Sequence, residues 1–395
     1  MTKKIIVTAV KAGGGHIAAM NSIISALSNS KEYQIESFTS ANNTLNKLHE
    51  FFNFKLPIIY DIGYNIAEFK ASRISQDILI QDVLNQFKYE FIQFFEDEQV
   101  EKIISTHFLT TQALLELKEE LDSKIKIIAY VPDYDVSLLH FPYSDAKYLN
   151  GLIAQSYSFI DRVANEFNYP RHRMQKAGFV VNSPFEAVNL LTTNQAISSL
   201  SADVKELKQI SKTKLRIVIA GGSGWTGTIA GKIKKLISYA ENDLDNVQFI
   251  VISGSSEESI KRYNKIKKHY PKIDLVILPQ LNHNDLSKIY KIADIVLLAS
   301  IAPASLFELM HANSSPLILV KANPGQEFFN KNFAVEEGLI ELSTSQDNLN
   351  WRVIELVEDI NELARVKKMY ASNFQNQLQI ARLNADSMSQ FIINL

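Results

Sequence analysis

Three short stretches able to move protons each follow a run of β-branched residues: His16 after Lys4–Val10, Thr106-His107 after Lys102–Ser105, and Asp133-Tyr134-Asp135 after Ile125–Val131. A histidine titrating near pH 6.5 suits general-base catalysis on a hydroxyl, and a carboxylate beside it polarises the ring. Taken singly, each residue has a plainer reading, since a histidine near a helix start caps or packs and an aspartate after proline makes a turn. Gathered at one sheet edge, His16, Thr106-His107 and Asp133-Tyr134-Asp135 offer a base and its polariser.

A second chemistry lies in two glycine loops, Lys11-Ala12-Gly13-Gly14-Gly15-His16 and Gly221-Gly222-Ser223-Gly224-Trp225-Thr226-Gly227. Each stands between an apolar run and a helical pattern, where glycine lets a ligand approach backbone N–H groups and the helix N-terminus favours an anion. Gly222, Gly224 and Gly227 fit G-x-G-x-x-G, and Gly13, Gly15 and Ala18 fit its looser form with a final alanine. Either loop alone reads equally as a tight turn without ligand. Two of them, one opening each half, match a pair of nucleotide-type domains better than a single dinucleotide site.

The elements that must position these residues are legible as period and length. Continuous apolar runs at Lys4–Val10, Lys102–Thr106, Ile125–Val131, Leu152–Ala154, Leu215–Ala220, Phe249–Ser253, Leu275–Leu278, Ile295–Ala299 and Leu317–Val320 predict strands buried on both faces. Between them, Ile17–Leu27, Thr110–Glu120, Thr228–Ala240 and Asp285–Ile292 carry helical spacing. Alternation of this kind predicts parallel sheets. A polar stretch at 191–213 without a strand-like run reads as a linker. The expected organisation is a domain at 1–190, that linker, a second domain at 214–350, and helices at 351–395 able to pack back on the first domain.

Composition narrows the chemistry. The 395 residues suit two domains, and 46% apolar with 21% charged residues suits packed cores. A net charge of -2 gives no field for nucleic acid. The absence of cysteine removes thiolate nucleophiles, thiolate metal sites and disulfides. The N-terminal apolar run is too short for a signal peptide and no run of about 18 apolar residues occurs, so a cytoplasmic or membrane-surface protein is expected. The phosphate-loop lysine and H-E-x-x-H are missing, and Gly221–Trp225 lacks the last glycine of G-x-S-x-G. Asp133-Tyr134-Asp135 has the letters of a metal-binding D-x-D but sits in the first half, so no metal is expected.

Read in order, several pieces resemble glycosyltransferase family 28, in the branch of diacylglycerol glycosyltransferases that includes plant monogalactosyldiacylglycerol synthases and bacterial glucosyl homologues. The pieces are Gly13-Gly14-Gly15-His16, Tyr60-Asp61-Ile62-Gly63-Tyr64, Ser105-Thr106-His107, Val131-Pro132-Asp133-Tyr134, Gly178-Phe179-Val180-Val181, Gly221-Gly222-Ser223-Gly224 and Pro324-Gly325-Gln326-Glu327, the last followed by Asn330 and Glu337-Gly338. The resemblance implies an α/β fold of two Rossmann-like domains facing a cleft (GT-B). It implies a UDP-sugar donor on the second domain, with diphosphate near Gly222, Ser223 and Gly224, and ribose on Glu308 beyond a turn ending at Ser305. Gly325, Gln326 and Glu327 would meet the donor sugar and phosphate. His16 falls at the place of the acceptor-activating histidine, with Asp133 beside it, and Gly14, Gly15, His107 and Tyr134 would face the acceptor. One departure stands out, because a family turn rich in glycine before the ribose glutamate reads here Ser300-Ile301-Ala302-Pro303-Ala304-Ser305.

The implied reaction is a single displacement with inversion, in which His16 takes the proton of an acceptor hydroxyl. Helix dipole and loop N–H groups stabilise the leaving UDP without metal or other cofactor. Phe51, Phe52, Phe54, Leu56, Ile58, Ile59 and Tyr60 form an apolar stretch that either lies in a bilayer interface and delivers a lipid acceptor or is a buried helix and loop. With the resemblance, the expected partners are a UDP-sugar, a lipid acceptor such as diacylglycerol, and the inner face of the cell membrane, with the protein cytoplasmic and peripheral. A soluble-acceptor transferase, a UDP-sugar 2-epimerase and a silent nucleotide-sugar-binding protein are the competing readings.

Overall fold

The computed structural model describes residues 2–10, 14–41, 70–136, 138–142, 145–181, 183–221, 225–240, 244–321 and 327–395, with backbone alone at 70–80, 139, 183 and 225. The chain forms two compact units. The first comprises Met1–Val180, Pro324–Asn330 and Gln379–Leu395, and the second Val181–Asn323 and Lys331–Leu378.

The first unit holds strands β1 (Lys3–Val10), β2 (Tyr33–Ser40), β3 (Val100–Ser105), β4 (Lys126–Val131), β5 (Leu149–Ala154) and β6 (Met174–Lys176), with helices α1 (Gly15–Leu27), α2 (Lys70–Glu96), α3 (Phe108–Glu120) and α4 (Tyr157–Phe167). The strands pair in parallel in the order β2-β1-β3-β4-β5-β6. Alternate residues of β1 show why strands of this kind are mostly apolar. Ile5, Val7 and Ala9 pack with Ala19, Met20 and Ile23 of α1 and with Met388 and Ile392, while Ile6 and Val10 pack on the other face with Phe87, Phe91, Leu114 and Leu117. Helices thus cover both faces, the doubly wound arrangement.

The second unit contains the short helices α5 (Ser183–Ala187) and α6 (Thr193–Ser198), strands β7 (Leu215–Ala220), β8 (Val247–Gly254), β9 (Asp274–Pro279), β10 (Ile295–Leu298), β11 (Leu317–Leu319) and β12 (Glu341–Leu342), and helices α7 (Ala230–Tyr239), α8 (Glu257–His269), α9 (His283–Ile292) and α10 (Pro303–Ala312). Helices α11 (Glu327–Glu336), α12 (Gln346–Glu358) and α13 (Ile360–Asn394) follow. This sheet is also parallel, in the order β12-β11-β10-β7-β8-β9. The 191–213 stretch belongs to this unit and is structured. Thr192 and Gln195 form a capping box on α6, and Leu207 and Ile210 are buried.

The close of α13 belongs with the first unit, and one glycine permits it. A methyl group at Gly178 would fall inside the backbone of Ala385, so only glycine lets helix and loop approach this closely. Buried Lys102 donates to the carbonyls of Ile392 and Ile393 at 2.9 and 2.6 Å, satisfying groups that a helix end leaves open.

Candidate active site

In an open parallel sheet ligands gather beyond the carboxyl ends of the strands, where the strand order reverses. In the first unit that place lies between β1 and β3. His16, second residue of α1, stands there. Its Nδ1 is 2.6 Å from the carbonyl oxygen of Thr106, just past β3. A carbonyl can only accept, so Nδ1 carries the proton and the lone pair of the neutral ring is on Nε2. Thr106 is itself held, with its N–H and Oγ1 donating to the Thr8 carbonyl at 3.1 and 3.0 Å.

His107 lies edge-on to His16, with ring centroids 4.8 Å apart. Its Nδ1 accepts from the Leu109 N–H at 3.2 Å and so caps α3, while its carbonyl accepts from the hydroxyls of Thr110 and Thr111 at 2.8 and 3.1 Å. The capping role places the His107 ring against His16. Buried His140, near Phe108, follows no glycine loop or strand-end motif in the sequence. Burial first, and the charge of His16 whenever that ring is protonated, lower His140 to about 3, so it stays neutral.

Asp133 follows β4 and is 6% exposed. Burial pushes its carboxyl up to about 6, against a hydrogen bond from Asn330 that favours the charged form. That bond runs from Asn330 Nδ2 to Asp133 Oδ1 at 2.8 Å, and Asn330 Oδ1 accepts the Tyr134 N–H at 2.8 Å. Asp133 therefore pairs with Asn330 and not with His16, whose orienting partner is a backbone carbonyl. Strand β3 lies between β1 and β4. Asp135 turns elsewhere, to Arg162 at 2.7 Å. The two carboxylates of the D-x-D thus take separate partners. The Tyr134 ring is buried, so the part of Tyr134 engaged here is its backbone. At Gly14 and Gly15 a methyl group would meet nothing within 4 Å among the described residues.

In the second unit the order reverses between β7 and β10. Gly222, Ser223 and Gly224 lie outside the described residues, as do Gly325 and Gln326. Gly221 is described, and a Cβ there would lie 2.7 Å from the Cβ of Ala299, so the loop leaves β7 tightly against the end of β10. A 3-10 turn, Trp225–Ile229, precedes α7, where the sequence pattern predicts α-helix directly. Thr226 anchors it through Oγ1 to the Ile252 carbonyl at 3.2 Å and through its carbonyl to the Tyr263 hydroxyl at 2.9 Å.

Helix α10 opens from β10 without a side-chain cap and with Pro303 in its first turn. Ala302 is extended, at φ -103° and ψ 141°, so the turn needs no glycine there. Ser305 is half-buried in the first turn of α10, and Glu308 is half-buried one turn on. Burial alone pushes Glu308 up to about 8, and no hydrogen-bond partner meets it among the described residues. A carboxyl in that state is suited to accept hydroxyls of a ligand. Glu327, first residue of α11, is buried and grouped with the first unit.

Among the described residues no cluster of metal-ligating side chains occurs, and no helix is long and apolar enough to cross a membrane.

Residues 229–372 match the family model described as glycosyl transferases group 1. The sequence matches no curated protein. By structure the chain is similar to a UDP-GlcNAc 2-epimerase from Neisseria meningitidis bound to UDP-GlcNAc, at TM-score 0.62 and 11% identity over 99% of this chain and 100% of that one. It is also similar to a trehalose-6-phosphate synthase, at TM-score 0.64 and 12% identity over 99% and 98%. A UDP-forming α,α-trehalose-phosphate synthase from Burkholderia xenovorans in complex with glucose-6-phosphate gives TM-score 0.63 and 11% identity over 99% of both chains. The fold is GT-B, two Rossmann-like α/β units each built on a parallel six-stranded sheet.

Proposed function

We propose that the protein is a glycosyltransferase that moves a hexose from a UDP-sugar to a hydroxyl of a lipid acceptor, diacylglycerol being the acceptor to which the sequence resemblance points. The observation that carries the reading is the His16–Thr106 contact, which supports Nδ1 as the proton-bearing nitrogen and so leaves Nε2 as the nitrogen able to act as a base at the switch point of the first sheet. In this reading His16 takes the acceptor proton as the oxygen attacks the anomeric carbon, the bond to UDP breaks, and the configuration inverts. The matched region at 229–372, and a Glu308 carboxyl without a hydrogen-bond partner among the described residues, support a nucleotide-sugar on the second unit, with Glu308 on the ribose. Gly222, Ser223, Gly224, Ser305, Gly325, Gln326 and Glu327 complete the proposed donor set, and Gly14, Gly15, His107 and Tyr134 the acceptor set. No metal or cofactor enters this mechanism.

The apolar stretch Phe51–Tyr60, which supplies the membrane part of the reading, lies outside the described residues. Its test is co-sedimentation with anionic liposomes of wild type and of the Phe51→Ser, Phe54→Ser double variant, with melting temperature measured on both. Each side chain inserted into the interface contributes about 1.5–3 kcal/mol, so weaker sedimentation at unchanged melting supports the membrane. A drop in melting with unchanged sedimentation contradicts it.

A second reading has a specific observation in its favour, the similarity along nearly the whole chain to a UDP-GlcNAc 2-epimerase. Conversion of UDP-GlcNAc to its 2-epimer without an added acceptor would establish that reading. UDP release that depends on acceptor would exclude it.

A further inference from the structure

The first turn of α11 supplies a contact that the motif residues do not explain. Asn330 is 1% exposed and spans two partners with one amide. The Tyr134 N–H can only donate, so it fixes Asn330 Oδ1 toward itself at 2.8 Å, and Nδ2 must then face Asp133 Oδ1, also at 2.8 Å. The amide has no freedom to flip, because the reverse orientation would set donor against donor. The same turn is anchored one residue earlier, where Phe329 lies 5.5 Å from the Arg162 guanidinium that also pairs with Asp135.

The arrangement leaves one oxygen of Asp133 over. Oδ1 is taken by Asn330, and Oδ2 has no hydrogen-bond partner among the described residues, although the side chain is more than nine-tenths buried. Oδ2 is nevertheless not sealed from solvent, so a ligand hydroxyl can reach it. Asp133 stands past the end of β4, at the carboxyl edge where ligands of such sheets sit.

We propose that Asn330 is a positioning residue, whose amide aims the Asp133 carboxyl so that Oδ2 accepts a hydrogen bond from a hydroxyl of the acceptor. The proposal rests on the glycosyl-transfer reading for the identity of that hydroxyl. Asn330 touches no reacting atom; it acts through Asp133.

The test uses the full chain with UDP-glucose and UDP-galactose as donors and dioctanoylglycerol as acceptor, UDP affinity being followed by calorimetry. Asn330→Ala should lower acceptor kcat/KM about 10–100-fold through acceptor KM, with UDP affinity unchanged. The swapped pair Asp133→Asn, Asn330→Asp rebuilds the hydrogen bond and the Tyr134 contact with the carboxylate on the wrong residue. It should recover the melting temperature but not transfer. Recovery of both by the swap, or a folded Asn330→Ala variant with acceptor kcat/KM within twofold of wild type, would overturn the assignment of Asn330 alone. No transfer by the wild type, with UDP still bound, would overturn the glycosyl-transfer reading and the hydroxyl partner with it.

Discussion

Nδ1 of His16 lies 2.6 Å from the carbonyl oxygen of Thr106, a residue 90 positions away that the chain brings near by pairing β1 with β3. The contact decides which ring nitrogen is basic. His16→Ala and His16→Asn are therefore both expected to lose transfer about 10²–10⁴-fold, the loss typical of a general base, while UDP affinity stays within a few-fold. The asparagine variant separates the two roles of the ring, because it can still donate to Thr106 but has no basic nitrogen. Turnover by His16→Asn near the wild-type rate would show that the ring is structural.

Asp133 gives a pH dependence whose sign follows from its burial. Its carboxyl rises from the usual 3.8 to about 6 in the folded protein. The folded state thus holds the proton more tightly than the unfolded chain, and stability is undiminished below about pH 4 and lost as pH rises toward 6. At about 1.4 kcal/mol per tenfold change, the loss is about 3 kcal/mol at most. Asp133→Asn lacks it. Denaturation of both proteins from pH 4 to 7 should show the variant gaining on the wild type across this range and holding a constant lead above it, and parallel curves would contradict the burial argument.

Glu308 is expected to act on the donor alone. Replacing it by alanine removes hydrogen bonds between two ribose hydroxyls and a carboxyl group that burial keeps largely protonated near neutral pH, each worth about 0.5–1.5 kcal/mol. Calorimetric titration with UDP should show binding weakened about 10–100-fold, with acceptor KM unaltered. Equal affinity in wild type and variant would mean that the turn at Ala302 has carried Glu308 away from the ribose.

The glycines separate by what a methyl group there would meet. Gly178→Ala drives a methyl group into the Ala385 backbone, and overpacking of that kind costs about 1–3 kcal/mol or more. Gly15→Ala meets nothing within 4 Å among the described residues, so the melting temperature should hold. If the start of α1 receives the acceptor, Gly15→Ala should raise acceptor KM. Scanning calorimetry on both variants distinguishes them, and a stable Gly178→Ala protein would show that α13 does not need this close approach.

Much of this fold is legible along the chain because strands covered by helices on both faces must be mostly apolar, as in β1, β4, β7 and β8. Strand β2 escapes that signal since it sits at the sheet edge, and between buried Tyr33 and Ser40 its residues are exposed or half-buried. Strands β6 and β12 are too short, at three and two residues, to carry a period. The 191–213 stretch looks like a linker by composition, yet Thr192 and Gln195 carry the spacing of a capping box and mark the start of α6. In the site, the position of His16 at the end of the first strand is readable from order alone. Its partner is not, because a backbone carbonyl leaves no trace in residue type. Nor is the Asn330–Asp133 pair, made across 197 residues, although Asn330 sits a short step after the Pro324–Glu327 motif.

The most direct measurement incubates wild type and His16→Ala with radiolabelled UDP-glucose or UDP-galactose and total membrane lipid, then separates the lipid and nucleotide fractions. Glycosyl transfer predicts label in the lipid fraction with one UDP released per sugar moved, inverted at the anomeric carbon, for the wild type alone. Label that stays on the nucleotide, or label that passes to lipid equally in the His16→Ala variant, would contradict the account.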